Sequence, residues 1–199
     1  KDAELSQRKA IEIKPDCAEA HSNLGNVLKD LGKLKDAELS YCKAIEIKPD
    51  FFQAYLNLGA VLKDLGKLQE AEISTRKAIE LKPDYAEAYS NYGRILRDLG
   101  NFGDALNHFK QALKFDNQLS IAKASLIETK GNICDWSDQD IQKIWLNNLG
   151  IEGPSVSPSG LLYYEDKPLK HLKRSENFYK DKYTRPTKHI KSSQKNIIH

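Results

Sequence analysis

Lys-Ala-Ile-Glu-Ile-Lys-Pro-Asp, at residues 9–16, is the stretch that decides the fold, because it returns at 43–50 and, with Leu for the second Ile, at 77–84. The copies are 34 residues apart. A second string, Leu-Gly-(Lys or Asn)-(Leu or Phe), begins at residues 31, 65 and 99 with the same spacing. A fixed period of this size is typical of stacked supersecondary units. We therefore expect residues 1–118 to be an array in which each unit buries its apolar face against its neighbours.

Each unit of 34 residues predicts two helices joined by a tight turn. Apolar residues recur with the 3.6-residue period of a helix on both sides of a glycine, where a helix end favours a residue that tolerates positive φ. A proline then ends the second helix of the unit. The Asp after each proline is expected to cap the next helix. These residues are Gly32, Gly66 and Gly100, and the Pro-Asp pairs that begin at residues 15, 49 and 83.

The period and its residues resemble the tetratricopeptide repeat, with full repeats at 18–51, 52–85 and 86–119. Residues 1–16 then form the second helix of an earlier repeat. The resemblance implies an all-α, right-handed α-α superhelix, in which small residues such as Gly25 and Ala37 face each other where two helices approach closely. The matching residues are Leu24-Gly25, Leu58-Gly59 and Tyr92-Gly93 in the first helices, and Ala37, Ala71, Ala105, Ala44, Ala78 and Ala112 in the second helices.

The resemblance also places the first helix of each repeat along a concave groove. Asn stands at the sixth position and Asp at the thirteenth in all three full repeats. An amide side chain offers both donors and an acceptor, so Asn repeated at the pitch of the superhelix can pair with the backbone of an extended polypeptide. The alternative is that these residues only solvate a surface or bond to the next turn. The predicted peptide-binding residues are Asn23, Asn57, Asn91, Asn26, Asp30, Asp64 and Asp98.

One class of partner is not expected from the residues at the fifth position. The cochaperone repeats that clamp a C-terminal carboxylate place Lys at this position of their first repeat. Here the position holds Ser22, Leu56 and Ser90. We therefore do not expect a clamp for chaperone tails.

Residues 119–180 are predicted to form a helical junction after the array. We expect a last helix at 119–130, an amphipathic helix at about 138–149 and another helix from Pro168 to about Tyr179, with a loop rich in Gly, Pro and Ser between them. Two strings in this region, Cys-Asp-Trp-Ser-Asp at 134–138 and Pro-Ser-Val-Ser-Pro-Ser-Gly-Leu-Leu-Tyr at 154–163, carry a second resemblance. They resemble the start of the catalytic region in protein O-linked N-acetylglucosamine transferases and in SPINDLY-type protein fucosyltransferases.

The second resemblance implies that the array recruits acceptor polypeptides for a glycosyltransferase whose donor is a nucleotide sugar, such as UDP-GlcNAc or GDP-fucose. Animal members of the family carry His at the places of Ser157 and Ser159, and neither Ser can act as a general base near neutral pH without an activating partner. The chain also lacks a Gly-rich phosphate loop and an alternating strand–helix pattern. We therefore predict no catalytic residue, cofactor or metal in this chain. The alternative is a non-enzymatic scaffold for the assembly of protein complexes.

Charge and composition limit the other classes of partner that the chain can be expected to have. From Lys167 onward the chain has a net charge of +8, whereas residues 1–166 have −5. Residues 181–199 are predicted to be a flexible basic linker, with nucleic-acid binding as the weaker interpretation. No long apolar run predicts a membrane helix. The three cysteines match no metal spacing and are expected to be reduced thiols in a cytoplasmic protein. Because the chain begins at Lys1 and has no Met, we expect it to be a segment of a longer protein.

Overall fold

The computed structural model describes residues 2–135, 137, 149, 151 and 168–183. The chain forms two compact units, Lys1–Trp136 and Ser137–His199, which are treated separately. The first unit is built from eight described helices of 12 to 14 residues. They are α1 (Asp2–Ile13), α2 (Ala18–Asp30), α3 (Leu34–Ile47), α4 (Phe52–Asp64), α5 (Leu68–Leu81), α6 (Ala86–Asp98), α7 (Phe102–Phe115) and α8 (Ser120–Asn132).

The helices of the first unit pack as successive hairpins. Helix α2 pairs with α3, α4 with α5 and α6 with α7, and the second helix of each hairpin packs against the first helix of the next. Helix α1 lies against α2 as the second helix of a preceding repeat would, and α8 lies against α7 and α6. The first helices α2, α4 and α6 also contact one another in sequence. The predicted all-α array of stacked hairpins is confirmed.

The turn inside each hairpin is closed by a glycine in the left-handed region. Gly32, Gly66 and Gly100 have φ of 75°, 79° and 82°. In the first hairpin, the N–H of Lys33 donates to the carbonyl of Leu28 and the N–H of Gly32 donates to that of Lys29, both at 2.9 Å. Two hydrogen bonds of this kind satisfy carbonyls that the end of a helix would otherwise leave without a partner. The positive φ predicted for these glycines is confirmed.

The turn between hairpins contains the Pro-Asp pair, and here one expectation was wrong. Helices α1, α3 and α5 end two residues before the proline, as predicted, but the Asp does not cap the next helix. The capping position falls one residue later, and no side-chain cap hydrogen bond forms there. Because the Pro-Asp pair makes the turn itself, Asp lies too early in the chain to reach the first free N–H groups of the helix. The capping positions are occupied by Cys17, Phe51 and Tyr85.

The close approach of the two helices in a hairpin involves the predicted glycine, but with a different partner. A Cβ atom added to Gly25 would lie 2.7 Å from Cε1 of Tyr41, and one added to Gly93 would lie 2.6 Å from Cε1 of Phe109. These side chains come four residues after the predicted alanines. Ala37, which is fully buried, packs in the same core. The missing Cβ therefore makes room for a large side chain.

Thr75 occupies the position of Tyr41 and Phe109 in the middle hairpin. Its side chain is fully buried, and its hydroxyl has no hydrogen-bond partner in the described part of the chain. A buried hydroxyl without a partner costs about 1–3 kcal/mol. Thr75→Val keeps the shape of the side chain and removes this group. We expect the variant to raise the free energy of unfolding by about 1 kcal/mol in urea titrations followed by circular dichroism. A loss of stability would mean that the hydroxyl is hydrogen-bonded in solution.

The second unit contains one described helix, α9 (Pro168–Tyr183), which ends four residues later than predicted. Arg174, fully buried, donates from Nε to the carbonyl of Leu149 at 2.9 Å. Nδ2 of Asn177 donates to the carbonyl of Ile151 at 2.7 Å, so two side chains of α9 hold the backbone of Leu149 and Ile151. The predicted helix at about 138–149, the 154–163 string with Ser157 and Ser159, and the linker beyond Tyr183 lie outside the described residues. No described helix is long and apolar enough to cross a bilayer.

Candidate functional site

The candidate site lies on α2, α4 and the segment that leads into α4. A cleft of about 660 Å³ opens there, and three of the predicted residues, Asn23, Asn26 and Asn57, line it. Asn23 is exposed, whereas Asn26 and Asn57 are half-buried. The cleft therefore combines residues from two successive repeats. The other residues that line it are Glu19, Ser22, Lys48, Asp50, Phe51, Phe52 and Gln53.

A pair of amides fixes the floor of this cleft. Oδ1 of Asn26 accepts a hydrogen bond from the hydroxyl of Tyr41 at 2.7 Å and another from Nδ2 of Asn57 at 3.1 Å. The first bond joins the two helices of one hairpin, and the second joins neighbouring repeats. An Asn side chain has an amide group that donates twice and an oxygen that accepts twice. The amide group of Asn26 and the oxygen of Asn57 make no hydrogen bond with a described residue.

Tyr41 supports the pair from within the core. Its side chain is fully buried, and its hydroxyl donates to Oδ1 of Asn26. Burial, and then the charge of Asp30, raises the pKa of Tyr41 well above its usual range. The hydroxyl therefore stays protonated at any physiological pH and remains a donor. Sequence reasoning missed this residue, because an aromatic side chain at that position of the repeat looks like core alone.

The rim of the cleft carries charge and two aromatic rings. Nζ of Lys48 lies 3.3 Å from Oε1 of Glu19 and 5.2 Å from the centre of the Phe51 ring. The pKa of Glu19 is lowered, first by a backbone hydrogen bond and then by Lys48, so this carboxylate is ionised. The ring of Phe52 meets that of Tyr85 edge-on at 5.2 Å between centres. Phe51 and Phe52 were not predicted as site residues; their place directly after the Pro-Asp turn was the available signal.

The predicted acidic residues do not line the cleft. Asp30 is exposed at the end of α2. Asp64 lies 2.9 Å from Nζ of Lys63, and Asp98 lies 3.6 Å from Nε of Arg97 and 4.0 Å from Nζ of Lys63. Arg97 also reaches Glu128 at 2.7 Å. Charges of both signs therefore alternate across the ends of α4, α6 and α8.

The third repeat differs from the first at the positions of the amide pair. Asn91 is half-buried on α6 but does not line the cleft. Arg94 stands where Asn26 stands two repeats earlier, and Phe109, which has no hydroxyl, stands where Tyr41 does. The pair found in the first two repeats therefore cannot form here.

The described histidines of the first unit make local packing and hydrogen-bond contacts, and its cysteines are free thiols. Nε2 of His21 lies 2.8 Å from the carbonyl of Pro15. The ring of His108 packs on Tyr92, with 4.4 Å between centres, and burial lowers the pKa of His108. Cys17, Cys42 and Cys134 are free thiols. Within the described residues, no three His, Cys, Asp or Glu side chains are placed to hold a metal ion.

Comparisons with known proteins agree with this architecture. Family models described as tetratricopeptide repeat and TPR repeat match residues 50–118 and 25–66. No curated protein matches the sequence.

Solved structures supply the other relatives. The chain is similar to PilF of Pseudomonas aeruginosa, with 18% identity over 90% of this chain and 82% of that one, at a TM-score of 0.69. It is also similar to YrrB, described as a TPR protein with an unusual peptide-binding site. The identity is 20% over 89% of this chain and 92% of that one, at a TM-score of 0.59. A third similar structure is the first TPR of Spaghetti (RPAP3), bound to the HSP90 peptide SRMEEVD. The identity is 22% over 59% of this chain and 93% of that one, at a TM-score of 0.57. Residues 25–118 therefore match tetratricopeptide-repeat models, and the stacked hairpins have the fold of the similar solved structures.

Proposed function

We propose that the face of α2, α4 and α6 that carries the asparagines binds an extended segment of another polypeptide. The observation that carries this proposal is the cleft between α2 and α4, with the amide pair of Asn26 and Asn57 in its floor. The pair leaves one amide donor group and one amide acceptor for a ligand. An extended chain presents one N–H and one C=O per residue, so the two sets of groups match.

The fixed position of the pair supports binding of backbone rather than of one side chain. The hydroxyl of Tyr41 and the two amides restrain one another across two repeats, so little side-chain freedom is lost when a ligand arrives. Backbone groups are the same in every sequence, which fits a groove that accepts many clients. Two of the similar structures are described through a peptide site or a bound peptide, which gives the proposal support from the fold.

We further propose that the array recruits acceptor polypeptides for a protein O-glycosyltransferase of the O-linked N-acetylglucosamine transferase or SPINDLY type. Support comes from the strings at 134–138 and 154–163, in their order after the last repeat. The donor for the whole protein would be a nucleotide sugar. Reading the gene beyond His199 tests this directly: a nucleotide-sugar-binding domain is expected there. A frame without one would leave the alternative, a scaffold without an enzyme.

Replacing Asn23, Asn57 and Asn91 together by Ala tests the groove. The probe is a phage-displayed library of random dodecapeptides, selected on the wild-type chain and then measured as labelled peptides by fluorescence anisotropy. Each hydrogen bond from Asn is worth about 0.5–1.5 kcal/mol, so the triple variant should bind about ten-fold more weakly, or worse. Circular dichroism should show unchanged helicity, because none of the three side chains is buried.

A matched variant replaces three exposed asparagines outside the cleft, Asn107, Asn117 and Asn132, by Ala. This variant loses as many side-chain amides as the groove variant does, and it should bind the peptides as tightly as the wild type. Equal affinity of the groove variant and the wild type, with helicity intact, would contradict the proposed function. So would a selection on the wild-type chain that returns no binding peptide.

A further inference from the structure

Two consecutive aromatic rings stand at the start of α4 and line the cleft. Phe51 and Phe52 follow the Pro-Asp turn directly, and no other repeat has two rings at these positions. The position of Phe52 holds Ala18 in the first repeat and Ala86 in the third, and these alanines are 3% and 6% exposed. A site that takes a buried alanine has little room for a phenyl ring. Phe52 is accordingly half-exposed at the wall of the cleft.

The two rings differ in what they contact. Phe52 meets the ring of Tyr85 edge-on, with 5.2 Å between centres, and Nζ of Lys82 lies 4.9 Å from the centre of the Phe52 ring. Phe51 contacts no other ring among the described residues, and one cation, Lys48, lies 5.2 Å from its centre. Phe51 is also half-exposed. Its ring is therefore the aromatic surface of the cleft that has no ring packed on it.

Charged groups at the rim limit which side chains can approach Phe51. Nζ of Lys48 lies 3.3 Å from Oε1 of Glu19, so a cation and a carboxylate stand together beside the ring. Asp50, which is exposed, also lines the cleft. A basic side chain of a ligand would meet Lys48, and an acidic one would meet Asp50 and Glu19, and like charges repel. The rim therefore favours an uncharged side chain.

Among uncharged side chains, an aromatic ring fits the surroundings of Phe51 best. A second ring buries a large apolar area against the first and can stack on it or meet its edge. The face of a ring also attracts an ammonium group such as that of Lys48, whereas an aliphatic side chain offers no such attraction. The cleft, at about 660 Å³, has room for a ring together with a stretch of backbone.

We propose that the part of the cleft beside Phe51 receives an aromatic side chain of the bound polypeptide, which packs on Phe51 near the ammonium of Lys48. The inference rests on the proposed function, since it assigns a side-chain specificity to the same cleft. The amide pair in the floor binds backbone of any sequence, and Phe51 selects a segment that carries a ring at this point. The specificity belongs to one place in the array, because the two consecutive rings occur only at the start of α4.

The experiment begins with the peptides that the wild-type chain selects from the random library, which should share an aromatic residue at one place. One such peptide with a single aromatic residue is synthesised with Phe, cyclohexylalanine, Ala or Lys at that place. In anisotropy titrations the wild-type chain should bind the Phe form about ten-fold more tightly than the Ala form, or better. The cyclohexylalanine form, which is similar in size but has no π-system, should lie between them. The Lys form should bind no more tightly than the Ala form.

Variants of the chain assign the preference to the proposed residues. Phe51→Ala should bind the Phe and Ala forms alike, with the affinity of the wild type for the Ala form. Phe51→Leu, which keeps an apolar side chain at the start of α4, should reduce the preference by less. Lys48→Gln should bring the Phe and cyclohexylalanine forms closer in affinity, because only the aromatic ring attracts the ammonium.

Matched controls remove a ring and a lysine outside the cleft. Phe115→Ala removes a ring that is 45% exposed, and Lys43→Gln removes an exposed lysine that pairs with Glu46. Both should keep the preferences of the wild type. Circular dichroism of every variant should show unchanged helicity.

The inference is overturned, with the proposed function left in place, if the selected peptides bind but share no aromatic residue, or if the Phe and Ala forms bind the wild type equally. Persistence of the preference in Phe51→Ala would overturn it too. Tighter binding of the Lys form would assign this part of the cleft to a cation attracted by Asp50 instead. If no peptide binds the wild-type chain at all, the proposed function fails as well, so the two failures are distinguishable.

Discussion

Gly59→Leu is expected to lower the free energy of unfolding by about 1–3 kcal/mol, because the new side chain enters a space that the opposite helix already fills. A Cβ atom at this position would meet the hydroxyl of Thr75 and would lie 3.2 Å from the carbonyl oxygen of Ala71. Thr75 can rotate, but the carbonyl belongs to the backbone of α5 and cannot move without shifting the helix. Urea unfolding followed by circular dichroism at 222 nm measures the change.

Gly103→Ala is the control for this variant. Gly103 is also helical, near the start of α7, but a Cβ atom there would meet nothing within 4 Å. The substitution relieves the entropic cost of a helical glycine, so stability should rise by up to about 0.5–1 kcal/mol. If Gly59→Leu leaves the urea midpoint unchanged or raises it as Gly103→Ala does, the close approach at Gly59 does not limit the packing of the hairpin.

Phe109→Ala is expected to cost about 3–5 kcal/mol, the largest loss we predict for a single substitution in this chain. The ring is fully buried, and it fills the space over Gly93. Phe115→Ala provides the comparison, because that ring is 45% exposed and packs mainly on Tyr89, with 5.3 Å between ring centres. Its loss should be about 0.5–1.5 kcal/mol. Equal losses in urea titrations of the two variants would contradict the assignment of Phe109 to the core.

A double variant at Gly93 and Phe109 tests whether these two residues are in contact. A Cβ atom on Gly93 would lie 2.6 Å from Cε1 of Phe109, so Gly93→Ala alone should destabilise the hairpin. Once Phe109 is replaced by Ala, the same methyl group enters the space that the ring has left. The two effects should therefore be less than additive, which is the expectation for residues in contact. Strict additivity would mean that the two residues do not touch in solution.

The sequence period was sufficient to predict the hairpins, their turns and the glycines with positive φ, because each of these depends on residues close together in the chain. The prediction that Asp50 caps α4 was wrong. The sequence does not show which residue after the proline begins the helix, and that residue decides where the cap lies. The bond between Asn26 and Asn57 spans 31 residues, and no local pattern indicates which amide of one repeat meets which of the next.

The hairpins meet through surfaces that recur with every repeat, and this has a consequence for how the gene can change. Because the Lys-Ala-Ile-Glu string returns every 34 residues, an in-frame duplication or deletion between two copies adds or removes one whole repeat. A duplication of residues 52–85 would give every helix a neighbour of the kind it already has, so the product should fold. The distance along the array between the amide pair and the last full repeat would then grow by one repeat in a single genetic event. Point mutation can change what the array recognises, whereas recombination can change its spacing.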